Sequence, residues 1–151
     1  MKIKMLSDKF FDDYPQNDYP EIEIDNMRPY IIIVFKISTD LYLCTPFRSN
    51  INHKNGYLFK NSIRSQNNNS GIDFSKSLII KNEEYIGDET VVDKDEHSEM
   101  ILNISMIKEN LMEYLSVYIN HHKGIKKIHD REYMRKYKYT TLQYFHNLLD
   151  I

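Results

Sequence analysis

The chain has one cysteine, no tryptophan, four glycines and four prolines in 151 residues. Each scarcity excludes something. A single thiol, Cys44, cannot build an internal disulfide framework or a cysteine-rich zinc site. So little glycine and proline excludes collagen-like and low-complexity material. The apolar runs are too short for a membrane-spanning helix. No leader of basic, apolar and small residues is legible, because Asp8, Asp12 and Asp13 interrupt the opening turns. A Gly-rich phosphate loop, a G-x-S-x-G elbow, an H-E-x-x-H pair and an EF-hand pattern are also missing.

What is present is 41% hydrophobic and 28% charged, too apolar for a disordered tail. The length suits one compact domain over 1–151, burying roughly 70% of its unfolded surface. By elimination, the expectation is a small cytoplasmic globular protein. The net charge of −2 conceals a polarity along the chain. Residues 8–25 and 83–99 are acidic. Between them, Lys36, Arg48, Lys54, Lys60, Arg64, Lys76 and Lys81 face only Asp40 and Asp73. A second basic stretch carries Lys123, Lys126, Lys127, Arg131, Arg135, Lys136 and Lys138 against Asp130 and Glu132. Segregated charge can create a positive face for phosphate in a near-neutral protein, or it can be a set of solvated helix and loop faces.

Periodicity places the elements. Met1–Leu6 alternates like a half-buried strand, and Ser7 is positioned to cap a short helix reaching Tyr14. Residues 15–27 read as a loop. Tyr30–Ile37 is β-branched and apolar on both faces, which predicts a central strand with Leu41–Thr45 as its antiparallel partner. Further strands are expected at Tyr57–Lys60, Ser77–Ile80 and Tyr85–Ile86, with a flexible Asn/Ser loop over 61–71. Asp93 and Glu96 resemble a capping box. It opens one long helix whose core face is Met100, Ile104, Ile107, Leu111, Leu115 and Tyr118, and which ends at Gly124. Asp130 and Thr141 are the expected caps of two final helices. The pattern is α+β: an antiparallel sheet first, helices packed on it later.

Two polar groups follow predicted strands. PFRSNINHK, Pro46–Lys54, brings Arg48, Ser49, His53 and Lys54 into irregular chain after a buried strand, offering a guanidinium fork beside a hydroxyl. The alternative is an ordinary hairpin with Ser49 satisfying local backbone. GIDFSK, Gly71–Lys76, brings Asp73 and Lys76 to the start of an apolar run. Asp73 is either a general base or, more safely, an ion-pair partner of Lys76. Arg28 shares the parity of Tyr30 and reaches the same end of the sheet, unless it is only a solvated strand-start residue. His121, His122, His129 and His146 lack ligand spacing and read as surface or packing histidines. Cys44 reads as a small core side chain.

In order and spacing, SDKFF, RPYIIIVFKI, LYLCTPFRS, FRSNINHK and GIDFSK resemble the ribonuclease toxins of type III toxin–antitoxin systems. The likeness is to the CptN and TenpN branches, with ToxN and AbiQ more distant, and covers residues 1 to about 120 together with the final helix. It implies a compact domain with a twisted antiparallel sheet and flanking helices, related to toxins of the Kid and MazF type. It further implies a metal-independent endoribonuclease without cofactor, inhibited by an antitoxin RNA of pseudoknot repeats. Such toxins process that RNA's precursor, form closed alternating rings with it, and serve phage defence or maintenance. The family's site serine matches Ser49, and a basic residue before the central strand matches Arg28. ToxN-like members have Thr before the serine and Lys two after it; Arg48 and Ile51 stand there instead, which moves the positive charge to Arg48.

The implied chemistry is 2′-hydroxyl attack on the adjacent phosphate, leaving 2′,3′-cyclic phosphate and 5′-hydroxyl ends. Arg28, Arg48 and Lys76 would stabilise charge, Ser49 would position a phosphate oxygen, and His53 is the nearby group titrating closest to neutrality. Lys54 and Asp73, with Lys123, Lys126, Lys127, Arg131, Arg135 and Lys136, are the expected RNA-contacting set, aided by the interleaved Tyr133, Tyr137 and Tyr139. A non-catalytic RNA-binding module is the competing reading. A metal-dependent nuclease using Asp73 and the C-terminal histidines is a third.

Overall fold

The most apolar segment of the sequence becomes the middle of a sheet. The structure, a computed structural model, describes residues 1–24 and 28–151. Strand β2 (Ile31–Lys36) lies between β1 (Lys2–Leu6) and β3 (Tyr42–Arg48), paired antiparallel to both. Ile32 and Ile33 are adjacent in the strand and both fully buried, so the sheet is covered on both faces at this point. With β4 (Gly56–Leu58), β5 (Gly71–Asp73), β6 (Leu78–Ile80) and β7 (Ile86–Glu89), the order is β4-β5-β3-β2-β1-β7, and β6 also pairs with β3. Among the described residues this is a seven-stranded, wholly antiparallel sheet. The expected α+β class is observed.

Strand β3 runs through Pro46 to Arg48 rather than stopping at Thr45. One edge of β3 pairs with β6 over Tyr42–Cys44 and with β5 over Phe47–Arg48. Pro46 sits at the gap between these partners, where that edge has no pair to lose. The consequence is that Arg48 ends a strand instead of sitting in a loop. Gly71 lets β5 approach β4 closely, since a Cβ there would run into the Tyr57 carbonyl.

Among the described residues, five helices flank the sheet: α1 (Asp8–Asp13), α2 (Ile63–Asn67), α3 (Lys94–Leu102), α4 (Ile104–His122) and α5 (Asp130–Tyr137). The predicted long helix is broken at Asn103, whose amide group donates to the Glu99 carbonyl at 2.8 Å. The break lets two faces serve different ends. Helix α4 buries Ile107, Leu111, Tyr114, Leu115 and Tyr118 in the core. Helix α3 instead turns two buried carboxylates toward the 57–70 segment. Glu99 accepts from the Tyr57 hydroxyl at 2.6 Å and from the Lys60 and Asn61 amides, while Glu96 accepts from Ser62 and Ser70. Glu96 therefore does not close a capping box, and Asp93, at the N-cap position without a side-chain bond to the helix, pairs with Arg64. The same anchorage orders 61–71, where α2 replaces the expected flexible loop, capped by Ser62.

Other caps shift by one residue. His129, not Asp130, caps α5, and Thr140, not Thr141, caps the final 3-10 turn at Thr141–Tyr144. In each pair the side chain one position earlier can reach the second amide of the turn. Ser7 occupies its expected cap position, but its hydroxyl donates to the Glu84 carbonyl. Gly124 ends α4 with φ of +71°. Cys44 is fully buried, and burial pushes its thiol pKa upward. No helix among the described residues is long and apolar enough to cross a membrane.

Candidate functional site

The ends of β3 and β5 deliver a buried carboxylate to the centre of the polar cluster. Asp73 is 1% exposed. Its Oδ1 accepts from the Ser75 amide at 3.0 Å and the Ser75 hydroxyl at 2.6 Å. Its Oδ2 accepts from Arg48 Nη1 at 3.1 Å, and His53 Nε2 lies 3.3 Å away. Burial raises the Asp73 pKa, but hydrogen bonds from His53 and Ser75 and the positive charge of Arg48 outweigh it, leaving the pKa below the usual carboxylate range. The expected Asp73–Lys76 pair is not formed. A 3-10 turn, Phe74–Lys76, carries Lys76 away from Asp73, and Lys76 Nζ instead donates to the Tyr139 carbonyl at 2.9 Å. Asp73 is thus an internal hub rather than a surface contact for RNA.

Serine, histidine and aspartate meet here, yet the arrangement is not that of a nucleophile triad. In a triad the serine and the carboxylate engage opposite ring nitrogens. In this cluster the Ser75 hydroxyl, 3.3 Å from Nε2, and Asp73 share one nitrogen, while Nδ1 accepts from the Asn55 amide at 3.1 Å. Those bonds hold His53 as the Nε2–H tautomer. Both ring nitrogens are therefore engaged within the protein, and His53 pairs with Ser75 rather than Ser49.

Two clefts flank this hub. The first, of about 570 Å³, is lined by Arg28, Arg48 and Ser49 with Tyr30, Glu23 and Arg64 among others. The second, of about 640 Å³, is lined by His53, Lys54, Asn55, Tyr114, Arg135 and Lys136 among others. The expected site residues are thus divided. Arg28, Arg48 and Ser49 converge; His53, Lys54, Arg135 and Lys136 converge separately; Arg48 and His53 are linked through Asp73. Lys123, Lys126, Lys127 and Arg131 are exposed and line neither cleft.

The interleaved tyrosines also part company. Tyr137 is 2% exposed and donates to the Tyr114 carbonyl at 2.7 Å, so it is a core residue. Tyr133 packs against His121 and donates to or accepts from His122 at 3.0 Å. Tyr139 alone of the three presents its ring to solvent, with Lys138 Nζ 5.2 Å from its centroid. His146 lies 2.6 Å from the Tyr118 hydroxyl. Burial lowers the pKa of both His122 and His146, with neighbouring histidine charges adding to the effect at His122. These histidines belong to an aromatic cluster. Among the described residues, no group of three or more His, Cys, Asp or Glu side chains is arranged to hold a metal ion.

Sequence reasoning missed Glu23, Ser75 and Arg64. Glu23 joins the Nη2 edge of Arg48 and lies 3.7 Å from Lys76, while Glu21 lies 3.8 Å from Lys76. The available signal was the charge polarity itself: the acidic 8–25 run and the basic 36–81 run meet in the fold. Comparison with protein-family models, curated proteins and solved structures gave no match for this chain.

Proposed function

We propose that the chain is a metal-independent endoribonuclease of the type III toxin kind, with a ToxN-like fold related to Kid and MazF. The observation that supports this reading most is the convergence of Arg28, Arg48 and Ser49 on one cleft. Arg48 is held by Asp73, so its guanidinium need not be ordered when a phosphate arrives. In the proposed step the 2′-hydroxyl of a bound ribonucleotide attacks its own 3′-phosphate. The 2′-oxygen–phosphorus bond forms as the 2′-hydroxyl proton passes to water, the bond to the 5′-oxygen of the next nucleotide breaks, and that oxygen takes up a proton from water. Arg48 and Arg28 offset the growing negative charge on the phosphorane, and Ser49 hydrogen-bonds a phosphate oxygen. Lys76 adds positive charge beside Arg48, where Glu23 faces both cations. His53 orients Asp73 and the 53–55 turn, and serves as acid or base only on leaving Asp73 or the Asn55 amide.

The second cleft, with Lys54, Arg135 and Lys136, would carry the flanking backbone of a cellular RNA or of pseudoknot antitoxin repeats in a closed protein–RNA ring. The protein would act in the cytoplasm, in phage defence or maintenance. The engagement of both His53 nitrogens within the protein favours one rival, a non-catalytic RNA-binding module. Inducible expression in a bacterial host separates the two. A ribonuclease arrests growth and fragments RNA, and Ser49→Ala relieves both; a binder leaves RNA intact with or without the substitution.

A further inference from the structure

We propose that Arg48 and Lys76 form a phosphate site whose ligand position is occupied by the Glu23 carboxylate, so that the acidic loop competes with an RNA phosphodiester for the site. The identity of the ligand as RNA rests on the ribonuclease reading above; the competition does not. Glu23 joins Arg48 through Nη2 and approaches Lys76 to 3.7 Å, so one carboxylate spans both cations. A phosphodiester carries the same single negative charge and presents two oxygens to a guanidinium fork, which makes the exchange charge-neutral.

The two carboxylates on Arg48 differ in their freedom to leave. Asp73 is buried and bound by four donor groups, whereas the Glu23 side chain is 51% exposed. The two residues before Glu23 are anchored. Ile22 is wholly buried, and the Glu21 amide donates to the Tyr144 hydroxyl at 3.0 Å. Displacement can therefore proceed by side-chain rotation at Glu23. The acidic side of the contact is also incompletely satisfied, because Glu21 Oε2 is buried without a hydrogen-bond partner among the described residues. Among the described residues, Lys76, 6% exposed, has one hydrogen bond, to Tyr139, and two more distant carboxylates beside it. A bound phosphate oxygen would give its ammonium a closer acceptor.

The test is equilibrium binding of a fluorescent 2′-O-methyl RNA oligonucleotide, which lacks the attacking hydroxyl and reads binding without cleavage, with inorganic pyrophosphate as a second probe. Glu23→Gln is compared with wild type, with Asp12→Asn as an exposed control for net charge, and in an Arg48→Gln background. Glu23→Ala accompanies it, and circular dichroism verifies folding. Glu23→Gln should tighten binding about three- to tenfold, and Asp12→Asn by less than about 1.5-fold. The gain should vanish when Arg48 is absent. A gain no larger than that of Asp12→Asn, or one that survives Arg48→Gln, overturns the inference. If wild type cleaves RNA but Glu23→Gln binds no tighter, the competition fails and the ribonuclease reading stands. If RNA is neither bound nor cut but pyrophosphate binding tightens, the site stands and the ribonuclease reading fails.

Discussion

Replacing Asp73 by Asn removes one negative charge and keeps the volume. Asp73 accepts from Arg48, His53, and both the amide and hydroxyl of Ser75, at 2.6–3.3 Å and almost without solvent. An asparagine oxygen can keep the Ser75 bonds, but its NH₂ then confronts Arg48 and the Nε2–H of His53, which are also donors. Breaking a buried pair from one side costs about 3–5 kcal/mol. Arg48 is partly exposed and recovers some hydration, so about 3 kcal/mol is the expected loss. For a chain of this size each kcal/mol lowers the melting temperature by about 2–4 °C, giving a drop of roughly 6–12 °C by circular dichroism. The pH dependence carries a sign. The folded pKa of Asp73 lies below its ordinary 3.8, so its contribution is complete above about pH 4 and is lost as pH falls through the folded value. The gap between wild type and Asp73→Asn should be constant at neutral pH and shrink below pH 4. A melting-temperature change under about 2 °C at pH 7, or a gap that widens in acid, would refute the placement of Asp73 as the hub.

Three other outcomes follow from the same structure. The pKa values of His122 and His146 are lowered from 6.5, so the unfolded state binds their protons first and stability should fall as pH drops from about 6.5 toward the folded values. Urea midpoints at pH 7.5 and 5.5 should differ less for His146→Gln than for wild type, and equal differences would remove the histidines from the account. Gly71→Ala puts a Cβ against the Tyr57 carbonyl and should cost about 2–3 kcal/mol in denaturant unfolding; a neutral result would mean β4 and β5 are not so closely paired. Arg48→Ala should lower RNA cleavage about a hundredfold or more while leaving product ends unchanged, as single-turnover kinetics would show.

The fold was largely legible because its signals are local. The apolar run around Ile32 and Ile33 predicts a doubly covered strand, and the spacing of Ile107, Leu111 and Leu115 predicts the buried face of α4. The break at Asn103 was not legible, because it depends on what Glu96 and Glu99 meet 26–42 residues away in the 57–70 segment. The same limit applies at the site. PFRS marks Arg48 and Ser49, which do share a cleft with Arg28. The near neighbour Lys76 was the natural partner for Asp73 by proximity in sequence, yet the 3-10 turn separates them and the carboxylate draws on Arg48 and His53, 25 and 20 residues earlier. Charge segregation was visible, but its outcome was not: the basic run does not simply face solvent, since Glu23 and Asp93 return to Arg48, Lys76 and Arg64.

The proposed metal-free cutting of RNA at the cleft of Arg28, Arg48 and Ser49 can be assayed on purified protein. A mixed RNA pool is incubated with wild type and with Ser49→Ala in excess EDTA, and both product ends are mapped. Wild type should leave 2′,3′-cyclic phosphate and 5′-hydroxyl ends at a recurring short sequence, lost in Ser49→Ala. Intact RNA with folded wild-type protein, or cleavage undiminished by Ser49→Ala, would contradict it.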